Sequence, residues 1–350
     1  MYEIYKIKII DKKFLLEDTY PKEEKMYHSR WKGSHYEAGF KYGNLLFKNS
    51  KTPNFSQLIN SEKLEYSKKA YQIYNKFYPE ILDEIQGFAD GLNIELDIVF
   101  AFLSSMYVFT EDVFCSCIGI SNSRGIFLAR NSDFDKSIKS LTDSALYRIN
   151  HTYSFIGNTT AMIQMEDGMN EKGLACGLTF VYPTVRGVGF NAGFLIRYIL
   201  ERCSTANQAR KFLENVDIGS SQNIIVIDKN GEILLAELNS NDRYFEQING
   251  GCVYRTNHFM SKKMNKYKAK IKDDIYSNDR YKTLENADSD LLDINGIKSL
   301  LSGEFGFMCQ YDKSQQIDTL WSSIYDLKEN KIYRCEGNPS RKKYSIDHRW

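Results

Sequence analysis

From Glu62 to Phe77, and again from Pro79 to Gly91, apolar residues recur at intervals of three and four, the spacing that lines one face of a helix. Ser61 is placed to cap the first of these. Pro79, followed by Glu80, Asp83 and Glu84, suits a first helical turn, where the missing N–H is harmless and the dipole favours acids. Asp97 can cap a further helix running to about Val108. The first hundred residues therefore read as mostly helical, opening at Gly33–Gly43 and crossed by the polar stretch Lys51–Ser61.

At Val113 the period changes from helical to two. Cys115–Ser121 alternates small or polar with apolar residues, Asn122–Gly125 carries turn chemistry, and Ile126–Asn131 returns as a second strand. This hairpin pairs Ser121 with Ile126, Cys117 with Arg130 and Cys115 with Ser132. Further strands are expected at 153–155, 161–165, 174–182, 224–228, 233–238 and 253–256, with helices at 194–201 and 206–215 between them. A last pair of strands, 319–326 and 331–335, flanks the turn Leu327–Asn330. Many strands with helices to either side predict an α+β chain with mostly antiparallel sheets and a helical N-terminal part.

Composition narrows the function classes. Forty-two per cent hydrophobic and 26% charged residues are the balance of a globular domain, and a net charge of +1 gives no electrostatic case for nucleic acid as partner. No apolar run approaches the roughly 18 residues of a membrane helix, and the N-terminus lacks a signal-peptide core. A cytoplasmic location and no membrane partner are expected. The seven cysteines include no Cys-x-x-Cys pair, so neither a disulfide framework nor a metal site is indicated, and Cys176, Cys203, Cys252, Cys309 and Cys335 read as packing residues.

Cys115 stands apart because the hairpin brings Arg130 and Asp133 to its end. A guanidinium beside a thiol favours the thiolate, and a carboxylate can hold an amine in place. The bland alternative is a structural hairpin with a surface Arg–Asp pair. His28, His35, His151, His258 and His348 sit in no motif that supplies a base. A nucleophilic Cys with no histidine has another route: if the peptide bond before it is cut, its own α-amine, of ordinary pKa near roughly 7.7–8.0, becomes the base.

The run Glu166–Phe180 resembles a motif of the choloylglycine hydrolase and penicillin acyltransferase superfamily, and Cys115–Cys117 with Ala129–Asp133 resembles its nucleophile strand and return. The spacing from Cys115 to Asp133 fits that family, whereas the spacing from Cys117 does not. Gly33–Gly43 and Tyr78–Gly91 resemble the pro-region of the isopenicillin-N acyltransferase branch. Thr256–Phe259 resembles the segment whose Asn donates to the oxyanion, here Asn257. Ser277–Leu284 resembles the segment bearing a second active-site arginine, here Arg280. Thr319–Cys335 is similar to the closing strands.

The resemblance implies a cysteine N-terminal-nucleophile hydrolase with an αββα sandwich of two mostly antiparallel sheets. It divides the chain into a helical pro-region, 1–114, which can stay as a subunit, and a catalytic core, 115–350. Cleavage would fall at Phe114–Cys115, although Phe114 is bulkier than the Gly found there in the penicillin enzyme. Thr179 stands where bile-salt hydrolases carry an oxyanion Asn, so a backbone donor is implied. The expected activity is hydrolysis or acyl transfer on a linear amide or acyl thioester through acyl-Cys115, with no cofactor and no metal. Partners are a small-molecule substrate and, as an open matter, further copies of the chain. Two rivals are a non-catalytic binding module on the same fold and an uncleaved thiol hydrolase using His258.

Overall fold

The computed structural model describes residues 26–109, 114–270, 276–312 and 314–350. Strand β1 (Arg30–Gly33) leads into helices α1 (His35–Lys48), α2 (Phe55–Leu58), α3 (Ser61–Phe77), α4 (Pro79–Leu92) and α5 (Leu96–Ser105). The cap of α3 is Asn60, whose side chain accepts from the Lys63 amide, with Ser61 already inside the helix. Asp97 lies in the first turn of α5 and the cap is Glu95, without a side-chain bond. The glycines of α1 and α4 have a steric purpose. A Cβ on Gly39 would stand 1.9 Å from the Glu84 carbonyl oxygen, and one on Gly87 2.1 Å from that of Tyr36. Only bare backbone lets the two helices cross this closely.

Strands β2 (Phe114–Asn122) and β3 (Gly125–Asp135) form the hairpin, in the register the sequence predicts. There follow β4 (Asp143–Ile149), β5 (Phe155–Thr159), β6 (Asp167–Asn170), β7 (Leu174–Phe180), α6 (Ala192–Arg202), α7 (Ala206–Asn215), β8 (Gln222–Asp228), β9 (Glu232–Leu238), β10 (Arg243–Asn249) and β11 (Gly251–Arg255). The chain closes with α8 (Ser277–Glu285), α9 (Ile294–Ser302), β12 (Ile317–Asp326), β13 (Lys331–Cys335) and β14 (Ser345–Ile346). The segment 161–165, expected as a strand, is a turn: Gln164 N–H bonds back to the Ala161 carbonyl and Met162 has φ +61°. Strands β1 and β6, of four residues each, are too short to show a period of two.

Among the described residues, one sheet has the order β1-β4-β5-β6-β7-β8-β9-β10 and the other β11-β2-β3-β12-β13-β14. Every pairing is antiparallel except β1 with β4. The sheets pack face to face through β2 and β3 against β7, β8 and β9; α6 and α7 cover the outside of the first, α8 and α9 that of the second. This is a four-layered αββα sandwich, two mostly antiparallel sheets between helices. The N-terminal segment is more than helical, since β1 is the parallel edge strand of the larger sheet. The chain crosses between sheets at Gly250 (φ +79°) and Gly251 (φ +95°), a left-handed pair that suits glycine. That crossover delivers β11 beside β2, and Asn257 to the head of β2 beside Cys115.

Candidate active site

Strand alternation gives Cys115 two environments. Its side chain shares a face with Ser132 and Arg130 and points between the sheets, while Ser116 and Asp133 belong to the opposite face, under α8. On the inner face, Arg130 Nη2 lies 2.7 Å from Cys115 Sγ. The guanidinium is held by four other groups: Nε donates to the Leu178 carbonyl (2.8 Å), Nη1 to Asp167 Oδ2 (2.8 Å) and to the Ser132 hydroxyl, and Nη2 also to Glu166 Oε2 (3.3 Å). Gly177 makes this path possible, because a Cβ there would meet Arg130 Cδ at 3.2 Å and Cys117 Sγ at 3.1 Å.

The two carboxylates under Arg130 are themselves fixed. Asp167 accepts from Asn158 (2.5 Å), Trp321 Nε1 (3.0 Å) and the Tyr325 hydroxyl. Glu166 Oε1 accepts from the Thr160 amide (3.0 Å) and hydroxyl (2.8 Å) and from the Tyr107 hydroxyl (3.2 Å). Burial raises the pKa of Glu166, opposed by Arg130 and the Thr160 bonds.

On the outer face the partners address the Cys115 backbone. Its N–H donates to Asn257 Oδ1 (3.0 Å), and its carbonyl accepts from Arg280 Nη1 (2.6 Å). Arg280 also reaches Ser116 Oγ (2.9 Å) and Asn257 Oδ1 (2.8 Å), with Asp133 Oδ2 at 3.5 Å. Asn257 Nδ2 donates to the Phe180 carbonyl (2.8 Å), and Asp133 accepts from Thr319 (2.6 Å) and Tyr311 (3.0 Å). Burial raises the Asp133 pKa, against Arg280 and the two hydroxyls. Asp133 thus joins the site through its outer face, one strand-width from the thiol side.

One electrostatic expectation is reversed. Arg130 does pull the Cys115 thiol down, but burial dominates and pushes it up to about 12, helped by Glu166 and Asp133. In the intact chain the group is a neutral thiol. All seven cysteines are free; Cys117, two residues along the same face, is likewise buried and burial pushes its thiol up as well.

Thr179 lies in β7 opposite Asn223 of β8; its hydroxyl donates to the Thr256 carbonyl (2.7 Å) and accepts from Asn223 (2.9 Å). Phe114 is buried and paired with Asp133. His258 Nδ1 is 2.8 Å from Ser277 Oγ, and its ring packs against Tyr281. The fold therefore brings Cys115, Arg130, Asp133, Asn257 and Arg280 together. Sequence reasoning gave no role to Glu166, Asp167 or Tyr107. The available signal was an adjacent acidic pair heading an otherwise uncharged strand.

A second buried polar cluster joins the N-terminal helices to the core. Arg197 Nη2 is 2.7 Å from both Glu84 Oε2 and Glu201 Oε1, and Glu201 Oε2 lies 3.0 Å from His35 Nε2 and accepts from the Tyr78 hydroxyl. Donor atoms of His35, Glu84 and Glu201 lie within 4.8 Å of one another, close enough to share a cation. The Arg197 guanidinium already bonds both carboxylates, so it occupies that electrostatic role.

Residues 120–341 match the family model of the acyl-coenzyme A:6-aminopenicillanic acid acyl-transferases. No curated protein matches the sequence. Among solved structures, the Caenorhabditis elegans ortholog of N-acylethanolamine-hydrolyzing acid amidase is 20% identical, covering 61% of this chain and 93% of that one at a TM-score of 0.46. A variant of the conjugated bile acid hydrolase from Clostridium perfringens is 14% identical over 63% and 89%, at 0.48. Penicillin V acylase from Agrobacterium tumefaciens is 13% identical over 63% and 82%, at 0.37. No described helix is long and apolar enough to cross a membrane. The family match spans more than half of the chain, from within the β2–β3 hairpin to beyond β13, and the protein belongs to the acyl-coenzyme A:6-aminopenicillanic acid acyl-transferase family.

Proposed function

We propose that the protein is a self-cleaving cysteine amidohydrolase or acyltransferase whose nucleophile is Cys115. The observation that carries this reading is that all three polar groups of Cys115 are held by side chains: thiol by Arg130, N–H by Asn257, carbonyl by Arg280. A packing cysteine needs none of these.

In maturation the Cys115 sulfur attacks the Phe114 carbonyl carbon. The C–N bond breaks, the sulfur's proton passes to the departing nitrogen, and a thioester to Phe114 forms. Water then releases the Phe114 carboxylate and regenerates the thiol. The new α-amine remains beside Asn257 Oδ1, with Asp133 and Arg280 behind it. It takes the thiol proton in the next attack and returns it to the leaving amine. Asn257 and a backbone N–H near Thr179 hold the oxyanion, a contribution of about 3 kcal/mol per donor in comparable sites. Water completes hydrolysis; an amine completes transfer. The substrate is a linear amide or acyl thioester, and no cofactor enters the cycle.

Cleavage need not separate the two pieces. Strand β1 stays hydrogen-bonded along β4, and the Arg197 cluster is buried across the same boundary. The segment 1–114 is then retained as a subunit of core 115–350. Seven free thiols suit a reducing compartment such as the cytoplasm.

Intact-mass spectrometry tests the reading. Wild type should resolve into 1–114 and 115–350, while Cys115→Ala stays whole and inactive and Cys117→Ala still cleaves. An active protein that remains one chain would remove the α-amine as base and favour the His258 route.

A further inference from the structure

Tyr107 reaches the site from the N-terminal side of the Phe114–Cys115 bond. It follows α5, is 3% exposed, and sits in the left-handed region at φ +63°. A bulky residue keeps that backbone only where its surroundings impose it. The core supplies the constraint: Gln164 Nε2 donates to the Leu103 carbonyl (3.1 Å), and Asn191 Nδ2 to the same oxygen (2.7 Å). Gly193 leaves room for the ring, since a Cβ there would lie 3.1 Å from Tyr107 Cε2.

The hydroxyl ends a continuous string of contacts. Tyr107 Oη donates to Glu166 Oε1 (3.2 Å), Glu166 Oε2 takes Arg130 Nη2 (3.3 Å), and that nitrogen's other contact is Cys115 Sγ (2.7 Å). A carboxylate close to a sulfur opposes its ionisation and a guanidinium favours it. The balance depends on how strongly Glu166 claims the shared nitrogen. Donors on Oε1 draw charge away from Oε2 and fix its direction.

We propose that Tyr107 is a positioning residue for the nucleophile, setting through Glu166 how Arg130 is divided between carboxylate and thiol. It touches no reacting atom. The N-terminal segment thereby tunes the reactivity of Cys115 as well as covering the core. This rests on the reading of Cys115 as the nucleophile.

The test uses the full chain as purified and follows the rate of Cys115 alkylation by iodoacetamide against pH, with the modified peptide identified by mass. Tyr107→Phe keeps the ring and removes the donor. Its profile should move to higher pH, with the rate at pH 7 falling about three- to tenfold. Thr160→Val, which removes another donor from the same oxygen, should shift in the same direction and carries the test if Tyr107→Phe fails to fold. Tyr66→Phe loses a buried bond of the same kind, to the Gly189 carbonyl (2.9 Å), and should leave the profile in place. A Tyr107→Phe profile that coincides with wild type, or an equal shift in Tyr66→Phe, overturns the proposal. If instead wild-type Cys115 never alkylates and Cys115→Ala keeps its activity, it is the nucleophile reading that falls.

Discussion

Two of the fully buried arginines each face two carboxylates and lie near a tyrosine hydroxyl. Arg130 has Glu166, Asp167 and Tyr107; Arg197 has Glu84, Glu201 and Tyr78. They differ in what completes the cluster. Arg197 Nε and Nη1 go to Glu201 (2.8 Å) and the Ile163 carbonyl (2.7 Å), and the neighbour beyond is His35, another cation partner for the same carboxylates. The result is a closed ion network across the boundary between N-terminal helices and core. Arg130 instead turns one nitrogen toward a thiol. The same components therefore close on themselves around Arg197, where every charge is matched, and leave one donor aimed at a thiol around Arg130.

The largest effect that would sharpen this contrast is on stability. Arg197→Met should destabilise the fold by about 3–5 kcal/mol, because it leaves Glu84 and Glu201 buried without their cation. Urea unfolding would read it, and a loss within about 1 kcal/mol would show that the cluster is not a structural clamp. On the reactive side, Asn257→Ala should lower turnover roughly 10²–10³-fold with the unfolding midpoint nearly unchanged. A loss under about tenfold would move the oxyanion site elsewhere.

A smaller effect lies in the pH dependence of the closed cluster. Burial opposes the charge on His35, but Glu201 prevails and its pKa is raised above the ordinary 6.5; Glu201 itself is lowered to about 2, Arg197 and His35 outweighing burial. A raised histidine contributes stability fully below its unfolded pKa and loses it as pH rises through the folded value. Glu201's contribution is constant above pH of about 5 and lost only as pH falls toward 2. From pH 6 upward the stability difference between wild type and His35→Asn should therefore shrink. Thermal melts of both proteins across that window decide it, and parallel curves would mean that His35 is uncharged in the fold.

Short-range features of this protein were legible in its sequence. The turn chemistry of Asn122–Gly125 and the period of two set the hairpin register, and with it the pairing of Cys115 with Ser132 and of Cys117 with Arg130. The helices Ser61–Phe77, Pro79–Leu92 and Ala206–Asn215 follow from spacing and breakers, which act within a few residues. The short strands Arg30–Gly33 and Asp167–Asn170 were not legible, since a strand of four residues has no period to read and exists because a neighbour accepts its hydrogen bonds. Asn257 and Arg280 were named from resemblance; that both converge on Cys115, one from the turn after β11 and the other from α8, is a consequence of the sandwich.

Tertiary structure alone decided the electrostatics. A guanidinium beside a thiol is a local fact, and on that basis the thiol pKa should fall. Desolvation is a sum over every atom that excludes water, and it outweighs the one favourable charge, pushing Cys115 up to about 12. The same holds for Tyr107, Glu166 and Arg130, which are strung together by packing between segments dozens of residues apart. Backbone periodicity is written residue by residue, whereas the dielectric around a buried charge is a property of the whole assembled core.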